Sequence, residues 1–160
     1  MKIVLRNYRP DDFDTLHRID QSCYSSEIAY SREDLRRYLL FRGADCVVAE
    51  TVDGKAAAQP TIVGFCISVH RGAQAHIITM DVLKERRRHG VGSTLLAEIE
   101  KRLALAGVNH VELETGTDNA AGIAFWRKNG YRPCGVKRGY YPKGVDAYAM
   151  VKALAAASSQ

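Results

Sequence analysis

Residues 2–9, KIVLRNYR, alternate apolar and polar side chains, the period of a strand with one buried face. Pro10 and the acidic pair Asp11 and Asp12 then open a helical pattern that sets Phe13, Leu16 and Ile19 on one face. A second helix is predicted from SREDLRRYLL, where Ser31 and Asp34 stand in capping-box spacing ahead of Leu35, Tyr38 and Leu39. CYSSEIAYS, between the two, reads as a loop. Runs rich in β-branched residues follow at 45–52, 61–69 and 75–83, with DGKAAAQP as the loop between the first two. Val91, Leu95, Ile99 and Leu103 recur every four residues and predict a helix that stops near Gly107. NHVELET (109–115) reads as a strand, and 118–131 as a helix capped by Asp118 or Asn119 and stopped at Gly130. YRPCGVKR and VDAYAMVKAL make a last pair of strands.

The order β-α-α-β-β-β-α-β-α-β-β predicts an α+β fold, one mixed central sheet of about seven strands with helices on both faces. Residues 1–153 read as one domain and 154–160 as a frayed tail; 160 residues suffice to bury a core. The apolar runs are too short to span a membrane, and the N-terminus lacks a signal-peptide core, so a cytoplasmic protein is expected. Cys23, Cys46, Cys66 and Cys134 are far apart and form no C-x-x-C, which argues against a zinc site and a disulfide framework. The net charge of +5 favours anionic partners. With no basic tail or aromatic platform, a local anion site is expected rather than nucleic acid.

That site is best sought in RRRHGVGSTLL, residues 86–96. The first turn of a helix carries unpaired N–H groups and partial positive charge, and so suits a phosphate. Gly90 and Gly92 would let an anion approach the backbone, and Arg86, Arg87 and Arg88 add charge. The stretch is neither a P-loop nor a dinucleotide fingerprint. On spacing alone, a structural loop with a solvated charged face fits as well.

Arg87-Arg88-His89-Gly90-Val91-Gly92 resembles the [Q/R]-x-x-G-x-[G/A] motif of the GNAT acetyltransferases, with a strand ending at Val82 before it and a helix, Ser93–Ala106, after it. LETGTDNAAGIAFWRKNGY is similar to that superfamily's second signature. KRGYYPKGVDAYAM resembles the C-terminal hairpin of the ribosomal-protein-alanine N-acetyltransferases, the RimI family. The resemblance implies a GNAT fold, acetyl-CoA as cosubstrate and no metal. It places the pyrophosphate at Arg87, Arg88, His89, Gly90, Val91, Gly92, Ser93 and Thr94, and the thioester carbonyl at the amides of Val82 and Leu83. Asn119 is implied at the pantetheine arm, where helix capping alone would also justify it.

Direct attack by an amine needs a base, and the residue matching the RimI family's glutamate is Glu114; Glu112 lies on the same strand face. Without the resemblance, Glu114 would read as a surface residue alternating with Leu113. His76 and Asp81 compete for the role, but in a regular strand they fall on opposite faces. The family's tyrosine acid is replaced by Trp126, whose indole donates a hydrogen bond without useful acidity. Trp126 then packs against the cofactor, and Tyr140, Tyr141 or water supports the leaving thiolate. Tyr140, Tyr141 and His76 are also the expected acceptor-binding residues.

A protein α-amine titrates near ~7.8 and a lysine near ~10.4, so deprotonating the lysine takes roughly 3.5 kcal/mol more at neutral pH. A carboxylate base therefore suits an N-terminal amine. Two alternatives stand beside it: a small amine such as an amino acid, polyamine or antibiotic, and a non-catalytic acyl-CoA-binding module. A monomer or homodimer is expected.

Overall fold

The predicted order of elements is the observed one. The structure, a computed structural model, describes residues 2–52, 54 and 59–156. β1 (Lys2–Asn7) is followed by a short 3-10 turn and by α1 (Phe13–Cys23) and α2 (Arg32–Leu40). β2 (Ala44–Val52), β3 (Thr61–Arg71) and β4 (Gln74–Val82) come next, then α3 (Val91–Leu105), β5 (His110–Gly116), α4 (Ala120–Lys128), β6 (Arg132–Lys137) and β7 (Ala147–Ala153). Most of the loop expected at 53–60, and residues 157–160, lie outside the described residues. Leu154, expected to open the frayed end, instead donates its N–H to Asn109 O at 2.8 Å and packs on the core.

The seven strands form one sheet in the order β1-β2-β3-β4-β5-β7-β6. β4 and β5 are parallel, joined through α3; the other pairings are antiparallel. Both faces are covered, which is why β2 and β3 read as continuous apolar runs. Alternate residues serve different cores. Cys46, Val48, Phe65 and Ile67 pack with Phe13, Leu16 and Ile19 of α1 and Leu35 of α2. Val47, Ala49, Val63 and Cys66 pack with Leu95, Leu96, Ile99 and Leu103 of α3. Burying each such large side chain contributes roughly 1.5–3 kcal/mol.

Two local features position the site. The β3–β4 register shifts between Ile67 and Ser68, which pair with Thr79 and Ile77, so Ile78 forms a β-bulge. The bulge reverses the alternation along β4. Before it, Ala75 and Ile77 face the α3 core; after it, Met80 and Val82 do. Ile78 packs in the α1 core, and Asp81 beyond it lies against Asp20 of α1. His76 and Asp81 therefore share a face, contrary to the regular-strand expectation. The second feature is the start of α3, at Val91 rather than Ser93, behind Gly90 in the left-handed region (φ 82°).

Candidate active site

β4 and β5 pair only through Gln74–His110, Ala75–Val111 and His76–Glu112. Beyond that the strands part: β5 continues on β7 as far as Gly116, and β4 continues on β3 to Val82. The result is a V-shaped cleft edged by main-chain groups. Leu83 N–H donates to Val63 O at 2.9 Å, so the expected second amide donor is already committed to β3. Successive amides of a strand leave by opposite edges. Val82 N–H therefore faces the edge that β5 has vacated. Val82 O accepts from Cys23 Sγ at 3.4 Å and Arg87 Nε at 3.1 Å.

At the mouth of the cleft, Arg87 thus turns back to the strand. Arg88, in the left-handed region at φ 65°, and His89 stay exposed. Thr94 N–H closes the first helical turn on Gly90 O, and its hydroxyl donates to the same oxygen at 2.7 Å. The N–H groups of Val91, Gly92 and Ser93 precede any intrahelical partner. The two glycines differ in purpose. A Cβ on Gly90 would meet open space, so this glycine serves the backbone conformation and leaves the helix mouth clear. A Cβ on Gly92 would stand 3.2 Å from the Phe125 ring, so that glycine lets α4 approach α3. An unobstructed helix N-terminus beside the Arg88 guanidinium suits a diphosphate, and the vacated strand edge suits an amide-bearing arm.

The opposite end is made of side chains. Glu114 is almost fully enclosed, its side chain 6% exposed. Its Oε1 accepts from Lys137 Nζ at 2.6 Å, and its Oε2 lies 2.5 Å from His76 Nε2, a close contact short of an aligned hydrogen bond. Burial pushes the Glu114 carboxyl up, but His76 and Lys137 outweigh it and hold the group below the usual carboxylate range. Ala149 of β7 lies directly between Glu114 and Gly135, and these small neighbours leave Lys137 a path across the sheet. Glu112, on the same face, is exposed.

Two loops wall this end. From residues 24–31, Tyr30 donates its hydroxyl to Ile78 O at 3.3 Å, at the bulge, and Glu27 pairs with Lys143 at 2.6 Å. The facing loop carries Tyr140 and Tyr141, their rings edge to face at 4.9 Å. Tyr141 lies beside Gly116 at the end of β5, where a Cβ would be 3.7 Å from its ring. Burial, then Tyr140, Glu114 and Asp118, push the Tyr141 hydroxyl up to about 12. Burial and Glu114 raise Tyr140 as well.

Asn119 caps α4, accepting the Gly122 N–H at 3.0 Å. Trp126 sits in the α3-side core, edge to face with Phe125 at 5.0 Å and with Tyr131 at 5.2 Å. The geometry thus gathers His76, Glu114, Tyr140 and Tyr141 at one end and residues 87–94 at the other. Tyr30 and Lys137 were not anticipated. Lys137 could be found only by knowing that β7 inserts between β5 and β6.

Residues 13–131 match the acetyltransferase (GNAT) family. An N-alpha-acetyltransferase of Saccharolobus solfataricus is 30% identical over 160 residues, covering 94% of this chain and 93% of that one. The ribosomal protein bS18-alanine N-acetyltransferase of Escherichia coli is 28% identical over 134 residues, 82% of each chain. Among solved structures, Arabidopsis thaliana NAA60 in complex with acetyl-CoA superposes with a TM-score of 0.79 at 18% identity, over 95% of this chain and 98% of that one.

Proposed function

The chain belongs to the acetyltransferase (GNAT) family, and from that premise we propose that this N-acetyltransferase moves acetyl from acetyl-CoA to the α-amine of a protein or peptide N-terminus. The observation that carries the reading is the splayed β4–β5 cleft, with bare helix amides at one end and the His76–Glu114–Lys137 cluster at the other. The similarity to an N-alpha-acetyltransferase over nearly the whole chain supports the acceptor class.

Acetyl-CoA supplies an electrophilic carbonyl joined to a thiolate leaving group. The amides of Val91, Gly92 and Ser93 hold its diphosphate, with Arg88 adding charge, His89 standing beside it and Thr94 closing the turn. Arg87 holds the loop onto β4. Asn119 stands at the start of α4 toward the pantetheine arm. Val82 N–H donates to the thioester oxygen, where negative charge grows as the amine attacks.

Glu114, held below the usual carboxylate range by its contacts with His76 and Lys137, is ionised and a poor proton acceptor. We assign acceptance to His76. With Nε2–H toward Glu114, Nδ1 takes the proton from the attacking nitrogen, and the carboxylate steadies the imidazolium. The N–C bond forms, the C–S bond breaks and the thiolate departs. A free thiol titrates near ~8.5, below Tyr141, so Tyr141 keeps its proton and offers the sulfur a hydrogen bond. Trp126, packed in the core, takes no part in proton transfer.

The test is thiol release from acetyl-CoA with peptides, free amino acids, polyamines and antibiotics as acceptors. Turnover is expected with peptides bearing a free α-amine, and none when that amine is blocked and only lysine is available. Turnover confined to small amines would overturn the acceptor assignment.

A further inference from the structure

Behind the cleft, α1 meets β4 through two carboxyl groups that the transfer mechanism does not use. Asp20 and Asp81 are 0% and 1% exposed. Each spends one oxygen on a visible donor: Asp20 Oδ2 accepts Tyr30 N–H at 2.7 Å, and Asp81 Oδ1 accepts the Thr79 hydroxyl at 2.7 Å. Each has a second oxygen, Asp20 Oδ1 and Asp81 Oδ2, that is buried without a hydrogen-bond partner among the described residues. The two side chains lie within hydrogen-bonding reach of one another. Two adjacent orphan acceptors, both fully buried, are explained by one proton held between them. Two bare carboxylates there would repel at low dielectric, whereas a carboxyl–carboxylate pair makes a strong O–H···O bond.

The placement gives the pair a task. Asp20 stands in the last turn of α1 and receives the N–H of Tyr30, so it anchors the loop that walls the acceptor end. Asp81 directly precedes Val82, whose amide faces the cleft. Among the described residues, the groups facing the pair are Cys23 and Tyr24 from the end of α1 and the loop after it, Tyr30 farther along that loop, Thr79 from β4 and Arg87 from the segment after β4. Of these, Arg87 is the only permanent cation, and it is spent on Val82 O. The proton, rather than a counterion, neutralises the pair.

We propose that Asp20 and Asp81 share one proton and serve as positioning residues for acyl transfer, tying the acceptor-side loop to the strand segment that presents the Val82 amide. This rests on the reading of the cleft given above. Loss of the proton at alkaline pH leaves two like charges face to face and drives α1 from β4, so turnover falls reversibly.

Infrared spectroscopy tests the proton and kinetics tests the role. The protein near pH 8 is expected to show the carbonyl stretch of a protonated carboxyl, lost in both Asp81→Asn and Asp20→Asn. In Asp81→Asn the amide N–H replaces the shared proton, so the alkaline fall of kcat moves up by about one pH unit or more, or disappears. Asp81→Ala, with no bridge, is expected to lose about tenfold in kcat and to raise the acceptor KM, and asparagine is expected to restore part of both. Absence of the carboxyl band in the parent protein overturns proton sharing whatever the activity. A band present with unchanged alkaline limbs in both asparagine variants overturns the positioning role. A protein inactive on every amine overturns the reading of the cleft, while the band still decides the pair.

Discussion

The two ends of the cleft are built from different materials. The helix-mouth end is main chain: three amides at the start of α3, one at Val82, and glycines that keep the approach open or let helices close. The acceptor end is side chain: His76 from β4, Glu114 from β5, Lys137 from β6 and three tyrosines from two loops. A main-chain site is specified by conformation, so many sequences can make it and few single side chains can break it. A side-chain site depends on identity at each position and on the register that brings the positions together. The helix-mouth end should therefore resist most side-chain truncations, and the opposite end should not.

The largest expected effect follows directly. His76→Gln should lower kcat by about 10²-fold, a typical contribution of a positioned base, with acetyl-CoA affinity nearly unchanged. Glu114→Gln should fall in the same range. If the two act as one proton-accepting unit, the double variant is no slower than the slower single one. Strictly multiplicative losses would divide the unit into independent residues, and a normal His76→Gln enzyme would remove the base from this end altogether.

The reverse experiment attacks the main-chain end where a side chain can hurt. Gly92→Asp places a Cβ against the Phe125 ring and a negative charge in the first turn of α3. Acetyl-CoA affinity should fall about tenfold or more, by like-charge repulsion and by displacement of the helix mouth. Titration calorimetry reads this independently of the acceptor. Ser93→Ala, which keeps the amide, should bind within about twofold of the parent. Equal losses in both would mean that side chains hold the diphosphate.

This contrast explains what was legible in the sequence. The helix mouth is contiguous, and the residues 87–94 that signal it are the residues that form it. Element order followed from apolar period and turn residues, and Asn119 from its capping position. The acceptor end was legible in part, through Glu114 and the tyrosines of the hairpin. Its partners were hidden by three-dimensional facts. The bulge at Ile78 turns Asp81 onto the face of His76, which a two-residue period cannot reveal. Insertion of β7 between β5 and β6 brings Lys137 to Glu114, and loop 24–31 folds Tyr30 back onto β4. Leu83 failed as an amide donor because the strand edge it uses belongs to β3.

The smallest expected effect sharpens the comparison most finely, because it concerns a charge that only supports another. Lys137 is half-exposed and pairs with a nearly enclosed Glu114. With His76 it overcomes the opposing effect of burial and holds the Glu114 carboxyl low. A carboxyl held below its unfolded value stabilises the fold above that value, about 4.3 for a free glutamate, and loses the contribution as pH falls through the folded one. Lys137→Gln should therefore be less stable than the parent at pH 7 by at most about 1 kcal/mol, since solvent screens the exposed ammonium. That corresponds to a Tm lower by about 2–4 °C. The deficit should shrink in high salt and vanish in acid where Glu114 is protonated in both proteins. Thermal unfolding across pH reads this directly. A deficit that persists unchanged below the carboxyl range would assign the role of Lys137 to packing of its stem, and would leave His76 as the main partner of the buried carboxylate.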